Sequence, residues 1–394
     1  MNFLKEANKL RSELTKIRRH LHQQPELSNK EYKTSAYIAA LLKKWGYKVK
    51  TKVGGTGVIG LLEPPSAVRR PRTGCVAVRA DMDALPIQEA VRKSFSSRSQ
   101  GIMHACGHDG NMTCALGAAG LLAAHRDKLT KPVKFIFQPA EEISNGAERM
   151  IEAGALKDPL VEAIIGMHVY TLLPVGKIGL KYGQMMANVD EFTLTITGEG
   201  GHGAAPHKGV DAIAISAEVV TALQQVVSRQ TDPADPVVLT IGTINGGTQY
   251  NILADKVVMN GTVRTLNDKT HLAMPKKIEK IARGITAAFG ASYKLEYNVL
   301  GVALVNNDQV VDLIKSAAAR ILGSNNIVTI NRASMGGEDF ASYLQQVPGA
   351  FVYLGVGNKA KGITYPWHHA CFDLDEEALP IGAAVLAQSV WSWQ

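Results

Sequence analysis

One short stretch, residues 103–109, carries side chains that suit a metal ion. It reads Met-His-Ala-Cys-Gly-His-Asp and places the Cys106 thiol two residues before the His108 imidazole on a glycine-containing turn. A zinc-type ion takes thiolate sulfur and imidazole nitrogen as ligands, and a bound metal keeps the thiol in its thiolate form. The pair alone is weak evidence, because a buried loop cysteine beside a surface histidine gives the same pattern.

A second stretch, residues 138–142, ends in the adjacent carboxylates of Glu141 and Glu142 after an apolar run that predicts a strand. Adjacent carboxylates repel each other, so their presence there needs an explanation. On an extended chain they point to opposite sides. One can then bind a metal while the other faces a bound water as general base. For the pair alone, a solvated helix start stabilised by the helix dipole is the better explanation.

Other polar side chains follow predicted strands in the same way. Asp81 and Asp83 lie at the end of one strand, where a carboxylate can accept a hydrogen bond from a metal-bound histidine or simply cap the next segment. His168 ends another strand, and His368 and His369 lie in a turn after Tyr-Pro-Trp. Five strand-end or loop positions along the chain thus supply Cys, His, Glu, His and His, a set that is typical of metal ligation.

Alternating strand and helix patterns predict the elements that hold these residues. An amphipathic pattern over residues 4–21 predicts a first helix. Ser28 and Glu31 have capping-box spacing and predict the start of a second helix that ends near Trp45. Short apolar runs between helical segments predict an α/β fold, with a mixed, mostly parallel sheet sandwiched by helices. These runs are residues 58–62, 75–78, 133–137 and 163–168.

The pattern changes between residues 186 and 298. There the order of predicted elements is β-α-β-β-α-β, which is that of the ferredoxin-like unit. We therefore predict an inserted domain at 186–298 and a discontinuous catalytic domain at 1–185 and 299–394. The first inserted strand alternates apolar and polar residues over 191–197. Its polar face suggests an edge strand that pairs with another subunit.

The inserted segment also contains a glycine-rich loop, residues 198–207, with His202 near its centre. Backbone can approach a ligand closely in such a loop, and a histidine there can stabilise an oxyanion. A flexible connection with exposed histidines is the alternative. Asn251 and Arg264 follow, and an arginine fork suits a carboxylate, although a lone arginine is usually a surface residue.

Composition limits the class of protein. The chain has 394 residues, a hydrophobic fraction of 46% and a net charge of +8. It shows no apolar run of membrane-spanning length and no signal-peptide pattern, and its four scattered cysteines do not suggest a disulfide framework. We therefore predict a cytoplasmic protein without a membrane partner. Basic residues form no stripe with aromatics, so no nucleic-acid partner is expected. The cluster of Arg69, Arg70 and Arg72 is interpreted as a solvated loop.

Six stretches, in order along nearly the whole chain, carry a family resemblance. The chain resembles the metallo-amidohydrolases that include N-acyl-amino-acid amidohydrolase, hippurate hydrolase, indoleacetyl-amino-acid hydrolase and related carboxypeptidases. The stretches are Arg-Ala-Asp-Met-Asp-Ala-Leu-Pro at 79–86, His-Ala-Cys-Gly-His-Asp at 104–109, Gln-Pro-Ala-Glu-Glu at 138–142, Gly-Gly-His-Gly-Ala-Ala-Pro-His at 200–207, Ser-Met-Gly-Gly-Glu-Asp-Phe at 334–340 and His-His-Ala-Cys-Phe-Asp-Leu-Asp at 368–375.

The resemblance implies a centre of two divalent metal ions per subunit. Zinc is favoured by the thiolate, and manganese, cobalt or nickel are alternatives as the working ion. Cys106 would lie between the metals, Glu141 would be the general base, and Asp83 would orient a ligand, His108. The metal ligands that it implies are Cys106, His108, Glu142, His168 and His368.

The same resemblance implies substrate contacts from the inserted domain. His202 would stabilise the oxyanion, typically from the partner subunit, so a homodimer or homotetramer through the inserted lid or dimerisation domain is expected. Asn251, Arg264 and the backbone of Gly336 and Gly337 would hold the substrate carboxylate.

The implied reaction is hydrolysis of the amide bond of an N-acyl amino acid with a free carboxylate, by a metal-activated water with Glu141 as general base. A carboxypeptidase or dipeptidase that uses the same site on short or N-blocked peptides is the main alternative. A binding protein without catalysis is a third interpretation. It would require a lost ligand or base, and none is missing.

Three positions depart from the family pattern. Asn111 stands where the family usually has a histidine, and effects beyond the ligands themselves are expected there rather than loss of activity. The run before Asp255 lacks the usual proline. His369 follows His368 directly, and we favour His368 as the ligand.

Overall fold

The computed structural model describes residues 1–65 and 74–394, so the predicted loop with Arg69, Arg70 and Arg72 lies outside the described residues. The strands in this part of the chain are β1 (Lys48–Val53), β2 (Gly57–Leu62), β3 (Cys75–Asp81), β4 (Val133–Gln138), β5 (Val161–Pro174), β6 (Ile178–Leu180), β7 (Gly183–Met186), β8 (Asn188–Thr197), β9 (Gly201–His202), β10 (Val237–Gly246), β11 (Ile252–Leu253), β12 (Lys256–Thr265), β13 (Ser292–Gly301), β14 (Leu304–Asn306), β15 (Ile327–Thr329) and β16 (Gly349–Gly357).

The α-helices of the same residues are α1 (Phe3–Lys9), α2 (Arg11–Gln23), α3 (Tyr32–Lys44), α4 (His108–Ala124), α5 (Gly146–Glu152), α6 (Ala212–Ser228), α7 (Asp268–Ala288), α8 (Asp308–Leu322), α9 (Phe340–Leu344) and α10 (Ala378–Trp393). Within the described chain, no helix combines the length and apolar character that crossing a membrane requires. The single helix predicted over 4–21 is two helices, because the chain is interrupted at Leu10.

The chain forms two compact units. The large unit comprises Met1–Gly183, Val305–Arg332 and Asp339–Gln394, and the small unit comprises Gln184–Leu304 and Ala333–Glu338. The sequence predicts 299–394 as catalytic domain throughout, but 299–304 and 333–338 belong to the small unit. Backbone hydrogen bonds explain the placement of 333–338, because Ser334 N–H donates to the Met185 carbonyl and Ala187 N–H donates to the Gly336 carbonyl.

One sheet forms the centre of the large unit. Its described strands follow the order β1-β2-β4-β3-β5-β16-β6-β15. The four central neighbours, β4, β3, β5 and β16, are parallel. Every residue of β3, β4 and β16 is buried. Because alternate side chains point to opposite faces, both faces of this sheet are covered. The predicted α/β fold with a mostly parallel sheet is confirmed.

The carboxyl ends of the central strands bring polar residues to one edge. Asp81, the last residue of β3, lies opposite Gln138, the last residue of β4. Arg79 of β3 lies opposite Gly166 of β5, so His168, two residues further along β5, is level with Asp81. Open α/β sheets place their ligands outside this edge. The large-unit sheet therefore delivers several of the predicted site residues to one place.

The small unit has the predicted ferredoxin-like order. In this unit β8, α6, β10, β12, α7 and β13 follow one another along the chain, apart from the two-residue strands β9 and β11. The strands form an antiparallel sheet in the order β10-β12-β8-β13. Apolar residues of α6 and α7 pack with those of the strands in one core.

The prediction that the first strand of the small unit is an edge strand is wrong. β8 pairs with β12 on one side and with β13 on the other. Its polar residues, such as Glu191 and Thr193, alternate with buried Phe192 and Leu194. Helices cover one face of this sheet, so the polar alternation marks the uncovered face of a central strand.

A buried cluster around Asp190 makes the stability of the small unit depend on pH. His271 Nε2–H donates to Asp190 Oδ1 at 2.8 Å, and the Tyr297 hydroxyl donates to Asp190 Oδ2 at 2.6 Å. The hydrogen bond to Asp190 raises the pKa of His271. The stabilisation by charged His271 is therefore complete below the unfolded pKa of about 6.5 and is lost as pH rises through the raised folded pKa.

We expect His271→Leu to lower the free energy of unfolding of the small unit at pH 5.5 by about 1.5–3 kcal/mol, the usual contribution of a hydrogen bond to a charged group. At pH 9 the loss should be smaller, because only the neutral imidazole is then removed. Urea unfolding followed by circular dichroism at both pH values measures the difference. An equal loss at the two values would contradict this assignment.

Candidate metal centre

A glycine turn at the start of α4 positions Cys106 and His108. Gly107 has a φ of 90° and directly precedes His108, the first residue of the helix. A Cβ atom at Gly107 would lie 2.3 Å from Val169 Cγ2, so the close approach of this turn to β5 also requires glycine. Cys106 and His108 are both buried. The turn therefore directs both side chains into the protein, next to β5.

The structure brings the five predicted metal ligands together. Ligand atoms of Cys106, His108 and His168 lie within 4.8 Å of one another, and so do those of Cys106, Glu142 and His368. Cys106 Sγ is 3.6 Å from His168 Nε2, and His368 Nε2 is 3.4 Å from Glu142 Oε2. Cys106 belongs to both groups, which is the arrangement expected for a thiolate between two metal ions.

The donor atoms suit divalent cations. His108 Nε2 and Glu142 Oε1 are buried, lie 3.8 Å apart and have no hydrogen-bond partner within the described part of the chain. Buried polar atoms without a partner are destabilising, and a cation would satisfy both of these. Burial also raises the pKa of the Cys106 thiol, and a metal ion is what keeps such a thiol ionised. Sulfur, imidazole nitrogen and carboxylate oxygen together match a zinc-type site.

Burial sets the protonation of two further candidate ligands. It lowers the pKa of His168 to about 4, so the imidazole is neutral at physiological pH, as a metal ligand must be. Burial raises the pKa of Glu142 to about 7. A cation beside this carboxylate would favour its ionised form.

His368 rather than His369 faces the cluster. His368 adopts a φ of 63° and its backbone N–H donates to the Ala105 carbonyl. His369 stacks on Tyr365 with ring centroids 4.3 Å apart, and its Nδ1 accepts the Cys371 N–H. Its ring is therefore engaged elsewhere. This geometry supports the choice of His368 as the candidate ligand.

The paired glutamates lie in a turn and not on an extended stretch, so the prediction of an extended segment is wrong. β4 ends at Gln138, and Ala140 has a φ of 55°. Asp83 Oδ1 accepts the Glu141 N–H and Oδ2 accepts the Glu142 N–H, both at 3.1 Å. The turn thereby directs both carboxylates towards His108: Glu141 Oε2 is 3.9 Å and Glu142 Oε1 3.8 Å from His108 Nε2.

Asp83 also contacts His108. The Asp83 backbone carbonyl accepts a hydrogen bond from His108 Nδ1 at 2.9 Å, and its Oδ1 lies 3.5 Å from the same nitrogen. These contacts fix the ring so that Nε2 faces the cluster. The hydrogen bond and charge of His108 outweigh the effect of burial and hold the pKa of Asp83 below its usual value. Asp83 thus connects the proposed base, one carboxylate ligand and one imidazole ligand.

Ser28 and Glu31, which the sequence predicts as a helix cap, contact residues of the candidate metal centre instead. Ser28 and Glu31 have capping-box spacing, but neither side chain caps α3, which begins at Tyr32. The N–H groups of Lys33 and Thr34 donate to the Glu26 carboxylate instead. The Ser28 hydroxyl donates to Asp83 Oδ2 at 2.7 Å, and Glu31 accepts the N–H of Ala140 at 2.9 Å. The capping-box prediction is therefore wrong. The local spacing of Ser28 and Glu31 resembles a cap, whereas Asp83 and Ala140, which they contact, are more than 50 residues away along the chain.

We expect Ser28→Ala to reduce metal affinity or kcat/KM by about 10-fold, at the lower end of the range for groups that support metal-site residues. The substitution removes the hydroxyl that holds Asp83 and leaves the size nearly unchanged. Metal titration and steady-state kinetics measure the effect. Ser96→Ala is a matched control, because the Ser96 hydroxyl hydrogen-bonds the Val91 carbonyl and the Lys93 N–H in a surface loop. Equal values for Ser28→Ala and the wild type would contradict the supporting role.

The predicted substrate contacts in the small unit form two groups. They are His202, Asn251, Arg264 and the backbone of Gly336 and Gly337. His202 of β9 pairs with Ile252, the neighbour of Asn251. Arg264 pairs with Val189, and a Cβ atom at Gly337 would lie 2.2 Å from Val189 Cγ2. Gly336 joins this second group through its backbone.

These two groups lie at opposite ends of the small-unit sheet. The His202 loop follows Thr197, whereas Arg264 is opposite Val189, eight residues earlier on β8. At ~3.3 Å per residue the ends are about 26 Å apart. One small substrate therefore cannot contact His202 and Arg264 of the same small unit.

His202 is oriented as a hydrogen-bond donor. Its Nδ1 accepts the Ala204 N–H at 3.0 Å, so in the neutral ring the proton resides on Nε2. The side chain is exposed. An outward Nε2–H is the group that oxyanion stabilisation needs.

Known proteins are similar to this chain in sequence and in fold. The model of peptidase family M20/M25/M40 matches residues 77–392. The chain is 38% identical over 371 residues to the N-acetyl-L-cysteine deacetylase of Bacillus subtilis, covering 94% of this chain and 85% of that protein. It is 38% identical over 376 residues to thermostable carboxypeptidase 2 of Saccharolobus solfataricus, covering 94% and 92%. The crystal structure of the Bacillus subtilis YXEP protein, a dinuclear metal binding peptidase from the M20 family, matches with a TM-score of 0.83 and 36% identity over 97% of this chain and 98% of that one.

The protein is a hydrolase that acts on amide bonds. The chain belongs to peptidase family M20/M25/M40. The resemblance found in the sequence motifs is thereby confirmed, as is the prediction that the protein is an enzyme.

Proposed function

We propose that this hydrolase cleaves the amide bond of small N-acyl amino acids that carry a free carboxylate, such as N-acetyl or benzoyl amino acids. The observation that carries the proposal is the position of the Glu141 carboxylate, 3.9 Å from His108 Nε2 within the cluster of candidate ligands. A carboxylate there can accept a proton from a water molecule held at the cluster. The relative named N-acetyl-L-cysteine deacetylase supports an acyl amino acid as the substrate class.

Two divalent metal ions are part of the proposal, supported by the relative described as a dinuclear metal binding peptidase. When bound, such ions polarise the acyl carbonyl and lower the pKa of a bound water. The thiolate favours zinc, with manganese, cobalt or nickel as alternatives. The residues that would hold the ions are Cys106, His108, Glu142, His168 and His368.

Glu141 is the proposed general base. Its carboxylate takes the proton of the attacking water and later gives a proton to the leaving amine nitrogen. Asp83 fixes the Glu141 backbone through the 3.1 Å hydrogen bond to its N–H. The His202 Nε2–H is proposed to stabilise the oxyanion of the tetrahedral intermediate. Arg264 and the Gly336 and Gly337 backbone of one subunit are proposed to hold the substrate carboxylate, with the partner subunit's Asn251, which lies beside its His202, as the further contact.

A homodimer in which His202 acts on the partner's substrate is the proposed assembly. The distance of about 26 Å between the His202 and Arg264 ends of one small unit supports it, because one chain cannot bring both groups to one substrate. The small unit is accordingly proposed to act as the dimerisation domain.

Mixing two inactive variants tests this assembly. We expect His202→Ala and Arg264→Ala each to lose activity, and an exchanged mixture to recover about a quarter of wild-type activity. Half of randomly mixed dimers are heterodimers, and one of their two sites has both residues intact. Steady-state rates after subunit exchange provide the measurement, with each variant mixed with wild type as control. No recovery in a mixture shown by mass spectrometry to contain heterodimers would contradict action across subunits.

A substrate panel tests the proposed activity. Metal-loaded protein is assayed with N-acetyl-L-cysteine, N-benzoylglycine, their carboxamide analogues and a dipeptide. We expect hydrolysis of the acyl amino acids, with kcat/KM at least about 100-fold lower for the carboxamides, which leave the carboxylate site unpaired. No hydrolysis of either acyl amino acid, or equal rates with the carboxamides, would contradict the proposal.

A carboxypeptidase or dipeptidase that uses the same site is the second candidate. The 38% identity to thermostable carboxypeptidase 2 favours it. It predicts higher kcat/KM for the dipeptide or for N-blocked peptides than for acetyl and benzoyl amino acids.

A further inference from the structure

Asn111 uses both ends of its side-chain amide in the interior of the large unit. It lies in the first turn of α4 and is 2% exposed. Its Nδ2 donates to Asp81 Oδ1 at 2.9 Å, and its Oδ1 accepts the Val169 N–H at 3.0 Å. The amide therefore joins the helix that begins with His108 to the end of β3 and to the backbone of β5.

Both partners of Asn111 are themselves held by further side chains. The other oxygen of Asp81 accepts a hydrogen bond from Arg79 Nη1 at 2.7 Å. The Val169 carbonyl accepts two hydrogen bonds, from His168 Nδ1 at 2.9 Å and from Trp367 Nε1 at 2.8 Å. Residue 169 is thus fixed through its N–H by Asn111 and through its carbonyl by a candidate ligand and by the residue before His368.

This arrangement controls the relation between two candidate ligands. His108 and His168 have ring centroids 5.5 Å apart and nearly perpendicular planes, at 81°. His108 is three residues before Asn111 on α4, and His168 directly precedes Val169 on β5. The Asn111 side chain bonds α4 directly to the backbone beside His168. A change in its length or in its hydrogen bonds would shift one imidazole relative to the other.

We propose that Asn111 is a positioning residue that sets the separation and orientation of His108 and His168 for metal binding, an inference that rests on the proposed function. The amide is suited to this role because its NH2 must face the Asp81 carboxylate and its oxygen must face the Val169 N–H. Asn111 does not touch the substrate. It acts through the two imidazoles.

Three variants separate positioning from simple packing. Asn111→Leu has the same branching as asparagine, is larger in volume and makes neither hydrogen bond. Asn111→Asp keeps the shape but places an oxygen against Asp81. Asn111→His can supply one donor and one acceptor in its neutral ring. Thr113→Val is the matched control, because Thr113 lies on the same helix, is fully buried and donates only to the Asp109 carbonyl of its own helix.

The test is calorimetric titration of the metal-free variants with Zn²⁺ and Mn²⁺, with Co²⁺ absorption as the report on ligand geometry. We expect Asn111→Leu and Asn111→Asp to bind at least one ion about 10–100-fold more weakly and to change the Co²⁺ spectrum. Their kcat should fall with KM little changed. Asn111→His and Thr113→Val should stay near wild-type affinity. Thermal unfolding of each metal-free variant shows that the fold persists, and if Asn111→Leu does not fold, Asn111→Asp and Asn111→His carry the comparison.

Wild-type metal affinity in a folded Asn111→Leu or Asn111→Asp protein would overturn the proposal. Equal weakening in all four variants would also overturn it, because that result indicates general packing. Failure of the proposed function is distinguishable. If wild type binds the ions but hydrolyses no acyl amino acid, the substrate proposal fails while the Asn111 comparison stands. If wild type binds no divalent ion, both proposals fall.

Discussion

Replacing Glu141 with glutamine is expected to lower kcat for amide hydrolysis by about 10²–10⁴-fold, the contribution of a general base, while the metal content stays unchanged. The amide of glutamine has nearly the same shape as the carboxylate but does not take a proton from water. The Glu141 backbone would keep its hydrogen bond to Asp83. The loss should therefore fall on the chemical step, with KM nearly constant.

A matched control for this variant is Glu148→Gln. Glu148 lies seven residues further on, in the first turn of α5, and is exposed. Its substitution should leave kcat and metal content at wild-type values. Steady-state kinetics and metal analysis of both variants, loaded side by side, provide the comparison. Unchanged hydrolysis in Glu141→Gln would contradict the proposed role of Glu141.

Replacing Arg18 with methionine is expected to lower the free energy of unfolding of the large unit by about 3–5 kcal/mol, the effect of removing one partner from a buried ion pair. Arg18 is fully buried on α2. Its Nε donates to Asp109 Oδ2 at 2.8 Å and its Nη2 to Asp373 Oδ1 at 3.0 Å. Burial opposes its charge, but the carboxylates of Asp109 and Asp373 outweigh burial and raise the pKa of Arg18.

The large effect follows from the burial of Asp109. This carboxylate is fully buried, and without Arg18 its remaining side-chain partner is His22, whose Nδ1 lies 2.8 Å from Asp109 Oδ2. An uncompensated buried charge is strongly destabilising. Asp109 directly follows His108, so the variant should also weaken metal binding.

Arg19→Met is the control for Arg18→Met. Arg19 is the next residue on the same helix, but its side chain is 44% exposed and it pairs with Glu376 at 2.7 Å. Exposed ion pairs contribute about 0–1 kcal/mol. Urea unfolding of both variants, followed by tryptophan fluorescence, measures the two losses. Similar losses for both substitutions would contradict the structural role assigned to the buried network.

The sequence predicts the candidate ligands well because their motifs lie near the carboxyl ends of strands or in turns. His168 itself lies inside β5, which continues to Pro174, so the predicted end of that strand at His168 is wrong. Parallel strands bring such ends to one edge of the sheet, whatever their separation along the chain. Cys106, His168 and His368 come from segments more than 60 residues apart, yet their motifs are readable one by one. The fold class was predictable for a related reason, because buried parallel strands are continuous apolar runs.

Long-range hydrogen bonds account for what the sequence does not predict. Ser28 and Glu31 match a local capping pattern, and nothing in their spacing indicates contacts with Asp83 or Ala140. The turn at Glu141 depends on Ala140 adopting a positive φ, which is unusual for a residue with a Cβ atom. The interior position of β8 is also not readable from alternation, because an exposed face and an exposed edge produce similar patterns.

For Asn111, too, the sequence reveals the unusual residue but not its hydrogen-bond partners. Its departure from the family motif is visible in the sequence. Its two hydrogen bonds, to Asp81 and to Val169, depend on the packing of α4 against β3 and β5.

Metal titration of the chelator-stripped protein tests most directly the central claim, that Cys106, His108, Glu142, His168 and His368 form one centre for two divalent ions. We expect calorimetry with Zn²⁺ to give two equivalents per chain for the wild type, and fewer or weaker sites for Cys106→Ala and His368→Ala. Amide hydrolysis should return as the ions bind. No binding by the folded wild type, or two unaltered sites in both variants, would contradict the account.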